Sequence, residues 1–249
     1  MKKTAIIFKR DFNEIIKTKA FLILGTAFLA LTAAAAVSTS IMLNRQEWIR
    51  EAAARPLLEL IIGLIAYFFP LLVLIAFIWG FSGPPVVKEK VNGNIASLMA
   101  TPLSPREVWL GKSLAIFVPG YIISLISTII IILTINLWAV VPATGDFVLP
   151  LPVFLLSLIW NPLLLLGTLL FIILFSLAGN PDLAIAPSFI VGFGLMMGIP
   201  LGMALGKIDL VSWSFSLWYM AGAIVVLVLT FLLTRFLTKE NIVLSSKGN

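Results

Sequence analysis

The stretch PPVVKEKVNGNIASLMATPLSPREVWLGK, residues 84–112, lies between two long apolar runs and decides how the chain is organised. The flanking runs, 60–81 and 113–141, contain no Asp, Glu, Lys or Arg. Each is longer than the roughly 20 residues that cross a bilayer as a helix. A polar segment of this length between two such runs favours a partner on the water side of a membrane.

The composition of the chain extends this interpretation to all 249 residues, of which 61% are hydrophobic and 11% are charged. A soluble domain is about half apolar and about a quarter charged. We therefore predict an all-α membrane protein formed by a single domain, residues 1–249. Its six predicted transmembrane helices cover residues 20–43, 60–81, 113–141, 148–178, 183–205 and 210–234.

The distribution of positive charge predicts the orientation of these spans. With the N-terminus inside, the outer segments hold four cations, Arg45, Arg50, Arg55 and Lys207, and the inner segments hold the rest of the 17 lysines and arginines. Cytoplasmic loops carry this excess in membrane proteins. The pattern predicts a multi-pass protein of the cell membrane with both termini and residues 82–112 in the cytoplasm. The net charge of +6 follows from this topology, so it does not indicate nucleic-acid binding.

The segments outside the spans have patterns of their own. Residues 1–19 are predicted to form an amphipathic helix in the membrane interface, and residues 235–249 form a cytoplasmic tail. This helix is either a topology anchor or a lever that meets a cytoplasmic partner. In the outer loop, residues 44–59, Glu51 and Arg55 are spaced for an ion pair along a short helix. The apolar stripe of the N-terminal helix consists of Ala5, Phe8, Phe12, Ile15 and Ile16.

Within residues 82–112, the spacing predicts two helices. Pro102 ends the first helix. Ser104, Pro105 and Glu107 form a capping-box pattern that opens the second, which continues into the third span. Two helices joined by such a turn form either a rigid protrusion or a hairpin that lies flat on the membrane. The apolar face of the first helix is formed by Val91, Ile95, Leu98 and Met99.

This segment resembles the cytoplasmic loop of ABC-2 type transporter permeases. The family has an acidic-basic cluster, a Gly-Thr-Leu-Glu motif, leucines, a proline and a Gly-Lys pair before the third span. This chain departs from the pattern at residues 94–96, Asn-Ile-Ala, where the family often has Thr-Leu-Glu. The resemblance is carried in order by Lys88-Glu89-Lys90, Gly93, Leu98, Pro102, Glu107 and Gly111-Lys112.

The six predicted spans and the inner termini extend the resemblance over the whole chain. The resemblance therefore implies a function for all of it. The chain would be the permease subunit of an ATP-binding cassette exporter, working in membrane lipid as a homodimer or heterodimer of permeases. Residues 82–112 would be the coupling loop that docks on a cytoplasmic ATPase subunit. ATP and magnesium would be bound by that partner, and no cofactor by this chain. The coupling residues would be Lys88, Glu89, Lys90, Gly93, Leu98, Pro102, Arg106 and Glu107.

The ATPase itself is expected to be a separate polypeptide. Gly111-Lys112-Ser113 imitates the end of a phosphate-binding loop, but the full pattern requires glycine at position 106, where the chain has Arg106. The tripeptide also runs into an apolar span instead of a soluble helix. We therefore expect that this chain is not an enzyme.

The fifth predicted span carries Gly194, Gly198, Gly202 and Gly206 at four-residue spacing. Glycines in this pattern allow two helix backbones to approach closely in lipid. The stripe serves packing within the chain, or it meets a second permease copy or lines a central cavity. In the resembled family, the first, second and fifth spans surround such a cavity.

The interiors of the spans contain no charged residue, which argues against a proton- or sodium-driven carrier. A membrane enzyme would need acids, bases or metal ligands near the interface. Cys and His are absent, and Asp146 and Asp182 each lie alone in short loops. A non-transporting assembly or sensor subunit remains the alternative function. Its partner would have no ATPase fold.

Overall fold

A computed structural model describes residues 2–82, 89, 92, 94–179 and 186–246 of the protein. Within these residues the regular structure is entirely helical. The helices are α1 (Lys2–Ile16), α2 (Lys19–Asn44), α3 (Arg55–Ser82), α4 (Asn94–Met99), α5 (Pro105–Thr144), α6 (Leu151–Ala178), α7 (Ala186–Ala204), α8 (Trp213–Phe236) and α9 (Lys239–Ser246).

Six of these helices, α2, α3, α5, α6, α7 and α8, are long and apolar enough to cross a membrane. This confirms the predicted all-α membrane protein with six spans, although some boundaries differ. The predicted helix that opens at Pro105 and continues into the third span is confirmed, since α5 begins at Pro105 and has 40 residues. At about 1.5 Å per residue, α5 is about twice as long as the roughly 30 Å hydrocarbon core. It therefore extends well beyond the membrane.

The spans divide into inner and peripheral helices. Of the most apolar 18 residues of each span, 61% are buried in α3, 50% in α5 and 56% in α6. The corresponding shares are 17% in α2, 17% in α7 and 22% in α8. The central helix α5 packs against α1, α2, α3 and α6. The peripheral helices therefore present most of their apolar surface to lipid or to another chain.

Close backbone approaches and hydrogen bonds hold the inner helices together, since lipid supplies little hydrophobic driving force between them. A Cβ placed on Gly120 of α5 would lie 2.9 Å from the Cβ of Phe77 in α3. The buried Trp109 Nε1 donates to the carbonyl of Leu170 in α6 at 2.7 Å. These contacts fix α5 against both of its inner neighbours.

Three spans contain a π-helical turn: Asn136–Val140 in α5, Leu156–Trp160 in α6 and Gly194–Gly198 in α7. Asn136 Nδ2 donates to the carbonyl of Val148 at 3.0 Å, and its Oδ1 accepts from the Val148 amide at 2.7 Å. The end of α5 is therefore fastened to the linker that leads into α6.

The outer loop differs from its prediction. Short 3₁₀ turns, Glu47–Arg50 and Ala52–Ala54, replace the expected helix, and Glu51 between them is extended. The predicted pairing of Glu51 with Arg55 is therefore wrong. Arg55 starts α3 because Pro56 favours a first helical turn, and its Nε donates to Glu59 Oε1 at 3.3 Å.

Candidate functional site

The first feature of the candidate site is α4, which lies between α3 and α5 in the chain. Its Ile95 and Met99 are buried and Leu98 is half-buried, which confirms the predicted apolar face as far as the structure describes it. Val91, also predicted for that face, lies outside the described residues. The helix packs against α9, and the choice between a rigid protrusion and a hairpin that lies flat on the membrane stays a prediction.

Lysines from both ends of the chain secure the carbonyl end of α4. Lys239 Nζ donates to the carbonyls of Met99 at 2.9 Å and Thr101 at 3.0 Å. Lys3 Nζ donates to the carbonyl of Pro102 at 2.9 Å. Cations at the last carbonyls of a helix complete hydrogen bonds that the helix leaves unmade. The N-terminal helix, α4 and the C-terminal helix therefore meet at one end of the bundle, called the terminal end below.

The predicted capping box begins α5 at this end. Ser104 Oγ accepts from the amide of Glu107 at 3.3 Å, and Glu107 Oε2 accepts from the amide of Ser104 at 2.9 Å. Pro105 occupies the first turn. The turn between α4 and α5 is therefore held by hydrogen bonds at a defined angle.

Replacing Ser104 with alanine removes half of this box. We expect the free energy of unfolding to fall by about 1 kcal/mol, the usual cost of losing an N-cap. SDS titration of the protein in mild detergent measures the change. Ser38→Ala is the control, because the Ser38 hydroxyl is exposed and donates only to the carbonyl of Ala35 in its own helix. Equal losses in the two variants would contradict the prediction.

The second feature is a cluster of four charged side chains, Arg10, Asp11, Glu89 and Lys112, called the ion cluster below. Lys112 Nζ lies 2.6 Å from Glu89 Oε2 and 3.1 Å from Asp11 Oδ2, and the Arg10 guanidinium lies 2.7 Å from Asp11 Oδ1. Lys112 is only 4% exposed and Asp11 8%. The hydrogen bond to Asp11 raises the pKa of Arg10 above its ordinary value.

The ion cluster joins three separate parts of the chain. Asp11 belongs to α1, Lys112 to α5, and Glu89 to the segment that precedes α4. A buried cation is costly unless it is paired, so the Lys112 ammonium favours conformations in which both carboxylates stay in place. A displacement of the segment around Glu89 is therefore expected to act directly on α1 and α5.

Gly111 allows α1 to lie close enough to complete the ion cluster. A Cβ on Gly111 would lie 2.8 Å from the Cβ of Ile7 and 3.2 Å from the carbonyl oxygen of Thr4. The side of α1 that packs on the bundle thus carries Ile7 and Asp11 together with Ile15 of the predicted apolar stripe, whereas Ala5 of that stripe is exposed. The interfacial location of α1 stays a prediction.

A polar cavity of about 660 Å³ opens beside α4 at the terminal end. Its walls combine charges of both signs with amides and hydroxyls. A partner surface that carries complementary polar groups would fit this cavity better than an apolar ligand would. The lining residues are Arg10, Glu14, Glu89, Asn92, Asn94, Ser97, Leu98 and Thr101.

The structure distributes the predicted coupling residues over different tasks. Glu89 belongs to the ion cluster, Glu107 closes the capping box, and the Pro102 carbonyl accepts from Lys3. Leu98 lines the polar cavity, and Arg106 is exposed at the start of α5. The predicted residues Lys88, Lys90 and Gly93 lie outside the described residues.

Sequence reasoning missed Asp11 and Lys239 and did not assign Lys112 a role of its own. A sequence signal existed for Lys112, because a lysine directly before an apolar span is costly to bury without a partner. For Asp11 the signal was weaker, since one acid on a basic helix is ordinary. Neither pattern identifies the partner residue, because Asp11 and Lys112 lie 101 positions apart in the chain.

The four glycines predicted as one packing face have different surroundings, and an added Cβ on Gly202 would lie 2.8 Å from Cγ1 of Ile208, a contact within the chain. Gly206 falls beyond α7 in a turn with a φ of 67°, and the carbonyl of Gly202 accepts from the Ile208 amide at 3.1 Å. Gly194 and Gly198 lie in the π-helical turn, where an added Cβ would meet no atom of the described residues within 4 Å. A role in a dimer or cavity surface stays a prediction for these last two.

Comparison with known proteins adds no further information about this site. No protein-family model, curated protein or solved structure matches the chain. The resemblance of residues 88–112 to ABC-2 type permeases therefore remains a prediction from the sequence.

Proposed function

We propose that this chain is the membrane-spanning permease subunit of an ABC-2 type ATP-driven exporter. In this proposal the terminal end faces the cytoplasm, and a separate ATPase subunit docks on α4 and the polar cavity beside it. ATP and magnesium are bound by that subunit. A second permease copy, identical or different, completes the transporter in the membrane.

The observation that carries the proposal is the way α4 is connected to the rest of the bundle. Lysines from both terminal segments bind its carbonyl end, and the ion cluster joins the preceding segment to α1 and α5. A docking helix must pass movement on without bending, and these contacts suit that task.

The central position of α5 supports the same mechanism. This helix starts directly after α4, contains Lys112 of the ion cluster, and continues for 40 residues to the opposite end of the bundle. Packed helices move as rigid bodies more readily than they deform. ATP-driven movement of the partner would thus tilt α5 together with α1 and change the packing of the permease around the pathway.

The proposal predicts that Arg106→Glu weakens binding of the ATPase. Arg106 is exposed beside the turn after α4, so its replacement does not break the ion cluster. A glutamate in the first turn of α5 also suits the helix dipole, and folding should be preserved. Charge reversal at a docking surface is expected to lower the recovered ATPase roughly tenfold. The measurement is mass spectrometry of proteins that co-purify with the tagged chain in mild detergent.

Lys207→Glu provides the matched control, since Lys207 is an exposed cation in the linker after α7, at the opposite end of the bundle. This variant should retain the ATPase in about equal amount to the chain. Absence of any ATPase from the folded wild-type complex would refute the proposed function and favour an assembly or sensor subunit. Equal recovery with both variants would remove Arg106 from the docking surface. Glu89→Ala is a poorer test, because it also leaves Lys112 with fewer partners.

A further inference from the structure

An apolar groove lies between α6, α7 and α8, away from the polar cavity and the ion cluster. Its volume is about 430 Å³, which is within the usual range of roughly 300–1,000 Å³ for small-ligand sites. Apolar side chains form most of the wall, and one cation lies at its end. The residues that line the groove include Thr168, Phe171, Val191, Val226, Leu233 and Arg235.

The hydroxyl groups in the wall do not make the groove polar. Thr168 Oγ1 donates to the carbonyl of Leu164 at 3.0 Å, and Thr230 Oγ1 donates to the carbonyl of Val226 at 2.8 Å. Thr230 Oγ1 also lies 3.3 Å from the carbonyl of Gly167 in α6, and because each hydroxyl has only one hydrogen to donate, the donor capacity of both is used within the bundle. The groove therefore suits a hydrocarbon chain better than it suits a polar cargo.

The length of the groove matches one leaflet of a bilayer. Its lining on α8 runs from Val226 to Arg235, nine helical steps or about 14 Å. Half of the hydrocarbon core is about 15 Å. Since α7 and α8 are peripheral helices, the described residues leave most of their apolar surface uncovered on this side. An acyl chain could lie in the groove with its headgroup at the level of Arg235.

Arg235 has the charge that such a headgroup requires. Its side chain is exposed, and its guanidinium lies 5.1 Å from the centre of the Phe236 ring. In the part of the chain that the structure describes, no carboxylate lies within ion-pair distance of it. Lys239, one turn further on, is in contrast bound to the carbonyls of Met99 and Thr101. Arg235 is thus the cation available at the mouth of the groove.

We propose that this groove binds an anionic phospholipid, with one acyl chain between α6, α7 and α8 and the phosphate on Arg235. Guanidinium groups bind phosphate oxygens through two parallel hydrogen bonds. Basic sites between transmembrane helices are suited to anionic headgroups. The site is independent of the proposed ATPase partner, and its test does not require that partner.

The test compares lipids retained by the purified full-length protein after reconstitution with equal amounts of phosphatidylglycerol and phosphatidylcholine. Native mass spectrometry after return to detergent counts the bound molecules of each. The wild-type protein should prefer phosphatidylglycerol, and Arg235→Gln should reduce that preference about fivefold, the effect of one interfacial cation. Arg235→Lys should retain most of it. Val191→Phe, which fills the groove, should reduce the retention of both lipids.

Lys9→Gln is the control for general surface charge, because Lys9 is an exposed cation of α1 at the same end of the bundle. This variant should keep the wild-type preference. The proposal is overturned if Arg235→Gln leaves the ratio unchanged, or if Lys9→Gln lowers it equally. Retention of neither lipid by the folded wild-type protein would also overturn it. Unchanged elution on size exclusion shows that each variant is folded.

Discussion

Replacement of Lys112 with methionine is expected to lower the free energy of unfolding by about 2–3 kcal/mol, the usual contribution of hydrogen bonds to charged groups. The methionine fills a similar volume but leaves the carboxylates of Asp11 and Glu89 without their shared cation. Asp11 is buried and keeps Arg10 as its cation at 2.7 Å, so its cost is the lost contact with Lys112, while Glu89, with a side chain 30% exposed, is partly solvated. SDS titration in mild detergent measures the loss.

Two further variants show whether the ion cluster causes this loss. The triple variant Asp11→Asn, Glu89→Gln, Lys112→Met removes the charges together and should recover a large part of the stability, since neutral groups are cheaper to bury. Glu59→Gln breaks the exposed Arg55–Glu59 pair and should cost less than about 1 kcal/mol. A Lys112→Met loss as small as that of Glu59→Gln would show that the cluster is solvated and contributes little.

The Lys112→Met variant also tests whether the ion cluster transmits movement, separately from its contribution to stability. If the ion cluster joins the docking region to α5, Lys112→Met should still bind the ATPase through α4 and the polar cavity. It should lose stimulation of ATP hydrolysis by transport, because the segment around Glu89 no longer holds α5. Arg106→Glu should instead lose the ATPase itself. Identical behaviour of the two variants would argue against separate docking and transmitting groups.

The predictable parts of the fold were those encoded locally. Long apolar runs identify the spans without knowledge of their neighbours, and Ser104, Pro105 and Glu107 form their capping box within four consecutive residues. Local rules failed where a neighbour changed the local structure. Glu51 and Arg55 had the spacing of a helical ion pair, but a new helix begins at Arg55 and leaves Glu51 extended.

The candidate site was less predictable because its contacts are distant in the chain. Asp11 and Lys112 are 101 positions apart, and Lys239 and Met99 are 140 positions apart. No periodic pattern pairs such residues. The glycine stripe was only partly predictable for a different reason: regular four-residue spacing describes one face only as far as a regular α-helix continues. In α7 a π-helical turn interrupts the helix at Gly194, and α7 ends before Gly206.

Gly111→Ala is expected to detach α1 from α5. The new Cβ would lie 2.8 Å from the Cβ and Cγ2 of Ile7, and 3.2 Å from the Thr4 carbonyl oxygen. Because a Cβ is fixed to its backbone, α1 as a whole must move away. Such overpacking costs about 1–3 kcal/mol, against the gain of up to about 1 kcal/mol that alanine brings to a helix. Movement of α1 also withdraws Asp11 from Lys112 and adds to the loss.

Gly222→Ala is the matched control, because Gly222 also lies inside a helix but an added Cβ there would meet nothing within 4 Å of the described residues. That variant should become slightly more stable, and because both alanines bring the same helix propensity, the two variants should differ by the overpacking cost of about 1–3 kcal/mol. Trypsin cleavage after the exposed Lys9 locates the change: it should become faster in Gly111→Ala and stay unchanged in Gly222→Ala. If Gly111→Ala leaves both stability and cleavage at the wild-type level, α1 does not depend on its close contact at Gly111. The position of Asp11 beside Lys112 would then have to depend on contacts other than the one at Gly111.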